Sequence, residues 1–208
     1  MNDERMRSNP FSTRFFQPGA MPYAFLHGGN IEQTAVRVLA SHGCHSVVGP
    51  HGTGKSTFVR SLANALEQEL DSRVILLQLK SGGHANRALK VSWKTWPAHG
   101  AVIIDGFEQI RLWNRWLAIA FCRKHLLPLV VTSHKKMRGC TILWETKIDR
   151  QTEQWVLSQL LAKHSPSVVD RILQSEAWRS SRIRHKDNLR ESLFDMYDWW
   201  QTNEAHLC

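Results

Sequence analysis

No apolar run in the 208 residues approaches the ~20 that cross a bilayer, so the sequence predicts no membrane-spanning helix. The opening MNDERMRSNP is charged where a secretory leader needs an apolar core, which argues against a signal peptide. Cysteine is sparse: Cys44, Cys122, Cys140 and Cys208 stand far apart with no C-x-x-C pair, and they read as reduced thiols in a cytoplasmic protein. The stretch SHGCH (41–45) holds two histidines and a cysteine. No second ligand cluster stands elsewhere to complete a four-coordinate metal site, and the simpler reading is the start of a strand. Internal repeats and low-complexity segments are also missing. Acidic residues are in deficit: the formal net charge is +9 and the pI about 9.8. A basic balance favours polyanions, whether nucleic acid, an acidic protein or a nucleotide.

What is present suffices for a core. The chain is 42% hydrophobic and 22% charged, and its length suits one α/β domain with an appendage. The first thirty residues carry NPF, PGAMPY and HGGN, which read as turns and extended chain. IEQTAVRVLA (31–40) reads as a short helix, and HSVVGPHGTGKST as a strand running into a glycine-rich loop. Val59, Leu62, Leu66 and Leu70 then repeat at helical spacing, predicting an amphipathic helix over 55–70. VILLQL (74–79), AVIID (101–105) and LPLVV (127–131) are apolar blocks without alternation, the pattern of parallel strands covered on both faces. FEQIRLWNRWLAIAFCRKH is long enough for a crossover helix, and TILWET (141–146) fits a fifth strand.

Beyond residue 148 helical patterns take over. Ser165-Pro166 is a helix start, and Asn188 and Glu191 have the spacing of a capping box. Leu189, Leu193, Met196, Tyr197 and Trp200 mark one helix face. The expected architecture is a parallel five-stranded sheet flanked by helices (31–147), with an extended N-terminal segment (1–30) and a small helical lid (148–208). Two aromatic pairs at helical spacing, Trp93/Trp96 and Trp113/Trp116, read as core rather than as ligand platforms.

The segment Gly49-Pro50-His51-Gly52-Thr53-Gly54-Lys55-Ser56-Thr57 fits G-x-x-x-x-G-K-[ST]. Its glycines let the chain turn so that backbone N–H groups face phosphate oxygens, and the next helix offers its positive end to the same anion. Lys55 is expected on the β- and γ-phosphates of a nucleoside triphosphate and the Ser56 hydroxyl on Mg²⁺. Asp105 ends the strand AVIID and is the second expected Mg²⁺ ligand. Glu108, three places on, either orients the attacking water or stabilises the N-terminus of the following helix. LVVTSH ends another strand in Thr132, Ser133 and His134, polar groups at the carboxyl edge where open α/β sheets bind ligands.

Four segments in this order, GPHGTGKS, VIIDGFEQ, VVTSH and DNLRES, resemble the Walker A, Walker B, sensor 1 and sensor 2 motifs of P-loop ATPases of the AAA+/STAND assemblage. DGFEQ is closer to the NACHT branch of STAND than to the Asp-Glu pair of AAA+ motors. The resemblance covers roughly residues 31 to 202. It implies ATP and Mg²⁺ as ligands, hydrolysis assisted by Lys55 and Glu108, a γ-phosphate contact by Arg190, and an N-terminal segment that drapes over the adenine. HKKMRGC (134–140) is too short for the helix that carries the arginine finger in AAA+ motors. A nucleotide-dependent switch therefore fits better than a hexameric motor, and the oligomeric state stays open.

Other classes were weighed. KSGGH (80–84) resembles the signature of ABC ATPases, but only 26 residues separate Lys55 from Ser81, too few for the helical subdomain that ABC proteins insert there. No N-K-x-D guanine motif appears. Two alternatives remain: a non-hydrolysing, ATP-gated module that grips nucleic acid or an acidic protein, and a small P-loop kinase with WRSSRIRHK (178–186) as its arginine-bearing lid. The basic stretch 179–190 is either the partner surface or a solvated lid face.

Overall fold

The computed structural model describes residues 9–79 and 84–203. The leader reading of residues 1–8 and nearly all of KSGGH lie outside the described residues. The chain forms two compact units. One is built from 27–49 and 55–146, the other from 1–26, 50–54 and 147–208.

The first unit is the α/β layer. Helix α1 (Ile31–Ser41) is capped by Asn30, whose side-chain oxygen accepts from the N–H groups of Glu32 and Gln33 at 2.7 and 3.1 Å. Strand β1 (Cys44–Val48) follows, then α2 (Lys55–Leu70), β2 (Val74–Gln78), α3 (Ala85–Ser92), a 3₁₀ segment (Trp93–Ala98), β3 (Ala101–Asp105), a 3₁₀ turn (Phe107–Gln109), α4 (Leu112–Lys124), β4 (Leu129–Ser133) and β5 (Thr141–Glu145). The five strands make one parallel sheet in the order β2-β3-β4-β1-β5. The internal strands β1 and β4 are buried throughout, including the polar His45, Ser46, Thr132 and Ser133. Along β5 the register against β1 jumps from Ile142 to Trp144 between Ser46 and Val47.

Three elements differ from the sequence reading. The fourth strand begins at Leu129, two residues later than LPLVV implies. Leu126 turns through a left-handed conformation (φ 52°) and Pro128 has no N–H to give, so the ladder starts where Leu129 N–H reaches Gly43 O at 3.0 Å. The crossover segment is two pieces: Glu108 sits in a 3₁₀ turn of its own, and α4 starts only at Leu112. The tryptophan pairs divide. Trp96 is fully buried and Trp93 packs beside it against Phe121, whereas Trp113 and Trp116, expected in the core, are 73% and 61% exposed. Helical spacing identifies a face but cannot say which way that face turns.

Cysteine brings a further correction. Cys44 at the start of β1 and Cys140 just before β5 form a disulfide, while Cys122 is a buried free thiol, its pKa pushed up to about 12 by burial. His45, beside Cys44, is held by the Ser41 hydroxyl at 2.6 Å. No group of three or more His, Cys, Asp or Glu side chains placed to hold a metal ion occurs among the described residues. Among them, too, no helix is long and apolar enough to cross a membrane.

The second unit is helical: α5 (Arg150–Leu160), α6 (Pro166–Gln174), α7 (Glu176–His185) and α8 (Leu189–Asn203). Its core joins Leu157, Leu161, Val168, Ile172 and Trp178 to the expected α8 face of Leu189, Leu193, Met196 and Trp200. The N-terminal segment contains a single helical turn, Thr13–Phe16, and belongs to this core. Phe11 is fully buried against Trp200 (ring centroids 5.7 Å), and the Asn9 amide donates to Tyr197 O at 2.9 Å. Half of the expected capping box is present. Asn188 Oδ1 accepts from Glu191 N–H at 3.3 Å, but Asn188 N–H goes to His185 O and not to the Glu191 side chain.

The disulfide closes a loop of 96 residues. Removing such a link costs about 2–4 kcal/mol, so reduction should lower the thermal midpoint by roughly 5–10 °C. Calorimetry with and without reductant tests this. A Cys44→Ala variant should melt at the reduced midpoint whether reductant is present or not.

Candidate nucleotide-binding site

The parallel sheet delivers three strand ends to one edge. β1 runs into Gly49, β3 ends in Asp105, and β4 ends in Thr132-Ser133, with Gly49 N–H donating to Ser133 O at 3.3 Å. Lys55 opens α2 and is only 8% exposed. Its ammonium donates to Gly49 O at 2.6 Å and lies 3.4 Å from His134 Nδ1. Burial pulls the Lys55 pKa below its ordinary value, while the negative charges of Glu108 and Asp105 push it back up.

His134 links the lysine to Glu108: its Nε2 stands 3.0 Å from Glu108 Oε1. A carboxylate only accepts, so Nε2 carries a proton towards Glu108, while Nδ1 lies between the Lys55 ammonium at 3.4 Å and Gly49 O at 3.2 Å. The other Glu108 oxygen, Oε2, is buried and has no hydrogen-bond partner among the described residues. The turn that carries Glu108 is held from behind. Arg115 donates to Glu108 O at 2.6 Å and to Ile110 O at 2.7 Å. Gly106 makes the turn possible: it adopts φ 85°, and a Cβ there would stand 2.6 Å from Leu79 O.

Thr132 has a different place from the one its motif suggests. It is 1% exposed, its hydroxyl donates to Asp105 Oδ1 at 2.7 Å, and its oxygen accepts from Gly106 N–H at 2.8 Å. It therefore braces the end of β3 from β4. Asp105 itself is half-buried. Ser56 and Thr57 are half-buried in the first turn of α2.

Residues 50–54 of the glycine-rich loop group with the helical unit. Gly52 and Gly54 take left-handed conformations (φ 71° and 92°). Asn188 Oδ1 occupies the place a Cβ of Gly52 would need, and the Tyr23 ring lies 3.3 Å from that of Gly54. Thr53 is buried, its hydroxyl donating to Pro50 O at 2.8 Å, while Pro50 and His51 are exposed. Arg190 is exposed in the first turn of α8, its guanidinium 5.6 Å from the Phe194 ring. The basic stretch 179–190 is in part internally matched. Arg182 pairs with Glu153 at 2.8 Å, and Arg184 and His185 both reach Asp195, at 3.1 and 3.0 Å.

Within the α/β unit, then, Lys55, Asp105, Glu108, Thr132 and His134 lie at one edge of the sheet, with Thr132 turned to Asp105. The reading missed Arg115, Tyr23 and Asn188. Asn188 had a signal, its place as the first residue of NLRE; Arg115 and Tyr23 had none, since each acts by reaching a backbone segment remote in pattern. The group fits a nucleotide's phosphates. A buried ammonium stands at a helix N-terminus, and the nearby Glu108 has a buried carboxylate oxygen without a hydrogen-bond partner among the described residues.

No protein-family model and no curated protein matches the sequence. Solved structures do match the fold. The replication initiator DnaA bound to AMPPCP and single-stranded DNA aligns with a TM-score of 0.54 at 14% identity over 84% of this chain and 62% of its own. A DNA replication initiation factor aligns at 0.58 and 14%, over 83% of this chain and 59% of its own. Domain III of the Thermotoga maritima DnaA aligns at 0.52 and 14%, over 80% of this chain and 90% of its own. The chain thus spans about three fifths of the first two. Its fold, a parallel five-stranded sheet flanked by helices, is the one it shares with these structures.

Replacing Thr132 by Val keeps the volume but leaves Gly106 N–H without its acceptor and Asp105 without its donor. The expected loss is about 1–3 kcal/mol of unfolding free energy, with Thr132→Ser losing less. Urea denaturation reads the difference; a valine variant as stable as the parent means that the hydroxyl does not brace β3.

Proposed function

We propose that this protein binds and hydrolyses ATP with Mg²⁺ and acts as a nucleotide-dependent switch. The observation that carries the reading is the cluster at the carboxyl edge of the sheet. The buried Lys55 ammonium at the start of α2 stands with Asp105 and Glu108, both close enough to act on its charge. The loop amides of Gly49–Thr57 and Lys55 would hold the phosphates. Mg²⁺, held by Ser56 and Asp105, would supply charge neutralisation at the phosphate oxygens. Glu108 would orient water, His134 and Arg190 would read the γ-phosphate, and Thr132 would act through Asp105. The finer assignment to a NACHT-like STAND branch rests on DGFEQ alone.

One observation favours the non-hydrolysing, ATP-gated reading as the runner-up. Glu108 Oε1 is engaged by His134, which lowers the basicity of the carboxylate and leaves only Oε2 to take a water's proton. A phosphotransferase would instead consume ATP only with a small acceptor and would give a phosphorylated product.

Steady-state Mg-ATP hydrolysis and fluorescent-ATP binding separate these readings. Lys55→Ala should abolish both binding and turnover, and unchanged binding would remove the site. Glu108→Gln should keep binding and lower turnover by at least about tenfold. Turnover at the parent rate in that variant assigns the water to another residue.

A further inference from the structure

We infer that the exposed face of α3 and α4 is a binding surface for single-stranded nucleic acid, with bases stacking on Trp113 and Trp116 and phosphates meeting the surrounding lysines and arginines. The proposal goes beyond the nucleotide site and does not depend on it.

The first observation is the isolation of these two rings. The chain has nine tryptophans. Seven are buried or half-buried; Trp113 and Trp116 are 73% and 61% exposed, one helical turn apart on α4. Leu112 and Leu117 beside them are also exposed. Transfer of an indole to water is unfavourable, so two rings left there together mark a surface made to be covered.

The second observation is the charge around them. From Ser72 to Trp144 the sequence holds twelve lysines and arginines and only two carboxylates, Asp105 and Glu108. Both carboxylates belong to the cluster around Lys55. The helical unit over 147–203 has nine basic and eight acidic residues, some of them paired with each other. The segment that carries α3 and α4 therefore holds a net charge of +10, and the rest of the chain together is −1. Arg87 and Lys90 on α3, Arg111 just before α4, and Arg123 and Lys124 in its last turn are exposed. Asn86 of α3 fixes the two helices together, accepting from Arg111 N–H at 3.1 Å and from the Asn114 amide at 2.8 Å.

Exposed indoles and a positive, carboxylate-poor segment are the two components of sequence-tolerant single-strand binding. An apolar protein partner would use the rings and leucines but would leave this much charge of one sign unanswered. A duplex would meet the charge but hide its bases from the rings.

Fluorescence anisotropy with labelled oligo(dT), oligo(rU) of about 15 nucleotides and a duplex of matched length tests the proposal. Binding of either single strand more tightly than the duplex is expected. The double variant W113A/W116A should bind at least about tenfold more weakly with an unchanged salt dependence. Replacing Arg111 and Lys124 by Gln should instead flatten that dependence, by about 0.7 in log–log slope for each charge removed. Circular dichroism should show W113A/W116A folded like the parent, since neither ring contributes to the core. Lys55→Ala should bind the single strand without ATP as the parent does, which separates this surface from the nucleotide site. Failure of both single strands to bind, preference for the duplex, or parental affinity in W113A/W116A each overturns the proposal.

Discussion

An ammonium buried at the end of a parallel sheet governs the site. Lys55 is the first residue of α2, and the sheet edge leaves it almost no water. Unfavourable by itself, such a charge demands acceptors and opposite charge nearby. Gly49 O and His134 Nδ1 supply the contacts, and Asp105 and Glu108 supply the charge. Each of these depends on further parts. Asp105 is braced by Thr132, Gly106 admits the turn under Leu79 O, and Arg115 grips the turn's carbonyls from α4. Positions far apart in sequence thus answer one electrostatic need.

The helical unit satisfies its own charges differently. Asp195 collects the Ser181 hydroxyl, Arg184 and His185. Burial pushes its pKa up, but these hydrogen bonds and positive neighbours outweigh that and hold it below the usual carboxylate value. Arg182 reaches Glu153 on another helix. A stretch that looks like a free basic patch in the sequence is thereby partly a set of internal ties. The α/β unit is the reverse case, since its segment 72–144 has almost no carboxylates with which to form such ties.

Much of this was legible beforehand. The glycine-rich loop, the helix over 55–70 and the strand ending in Asp105 follow from local patterns, and the structure has α2 at Lys55–Leu70 and β3 at Ala101–Asp105. The two tryptophan pairs show where legibility ended. Both have the same spacing; one lies in the core beside Phe121 and the other faces water. Periodicity reports that residues share a face, and only the packing of neighbouring elements decides whether that face is covered. The cysteines failed for a related reason. Cys44 and Cys140 are 96 residues apart and meet because β5 pairs beside β1, a fact of strand order.

By itself, then, the sequence determined the kind of fold and the chemistry of the phosphate loop, because strand composition, helix period and glycine spacing are local properties of the chain. Tertiary structure alone decided what each polar strand end does. Thr132 turned to Asp105 and His134 to Glu108, because burial leaves a polar group only the partners that the sheet order brings within reach.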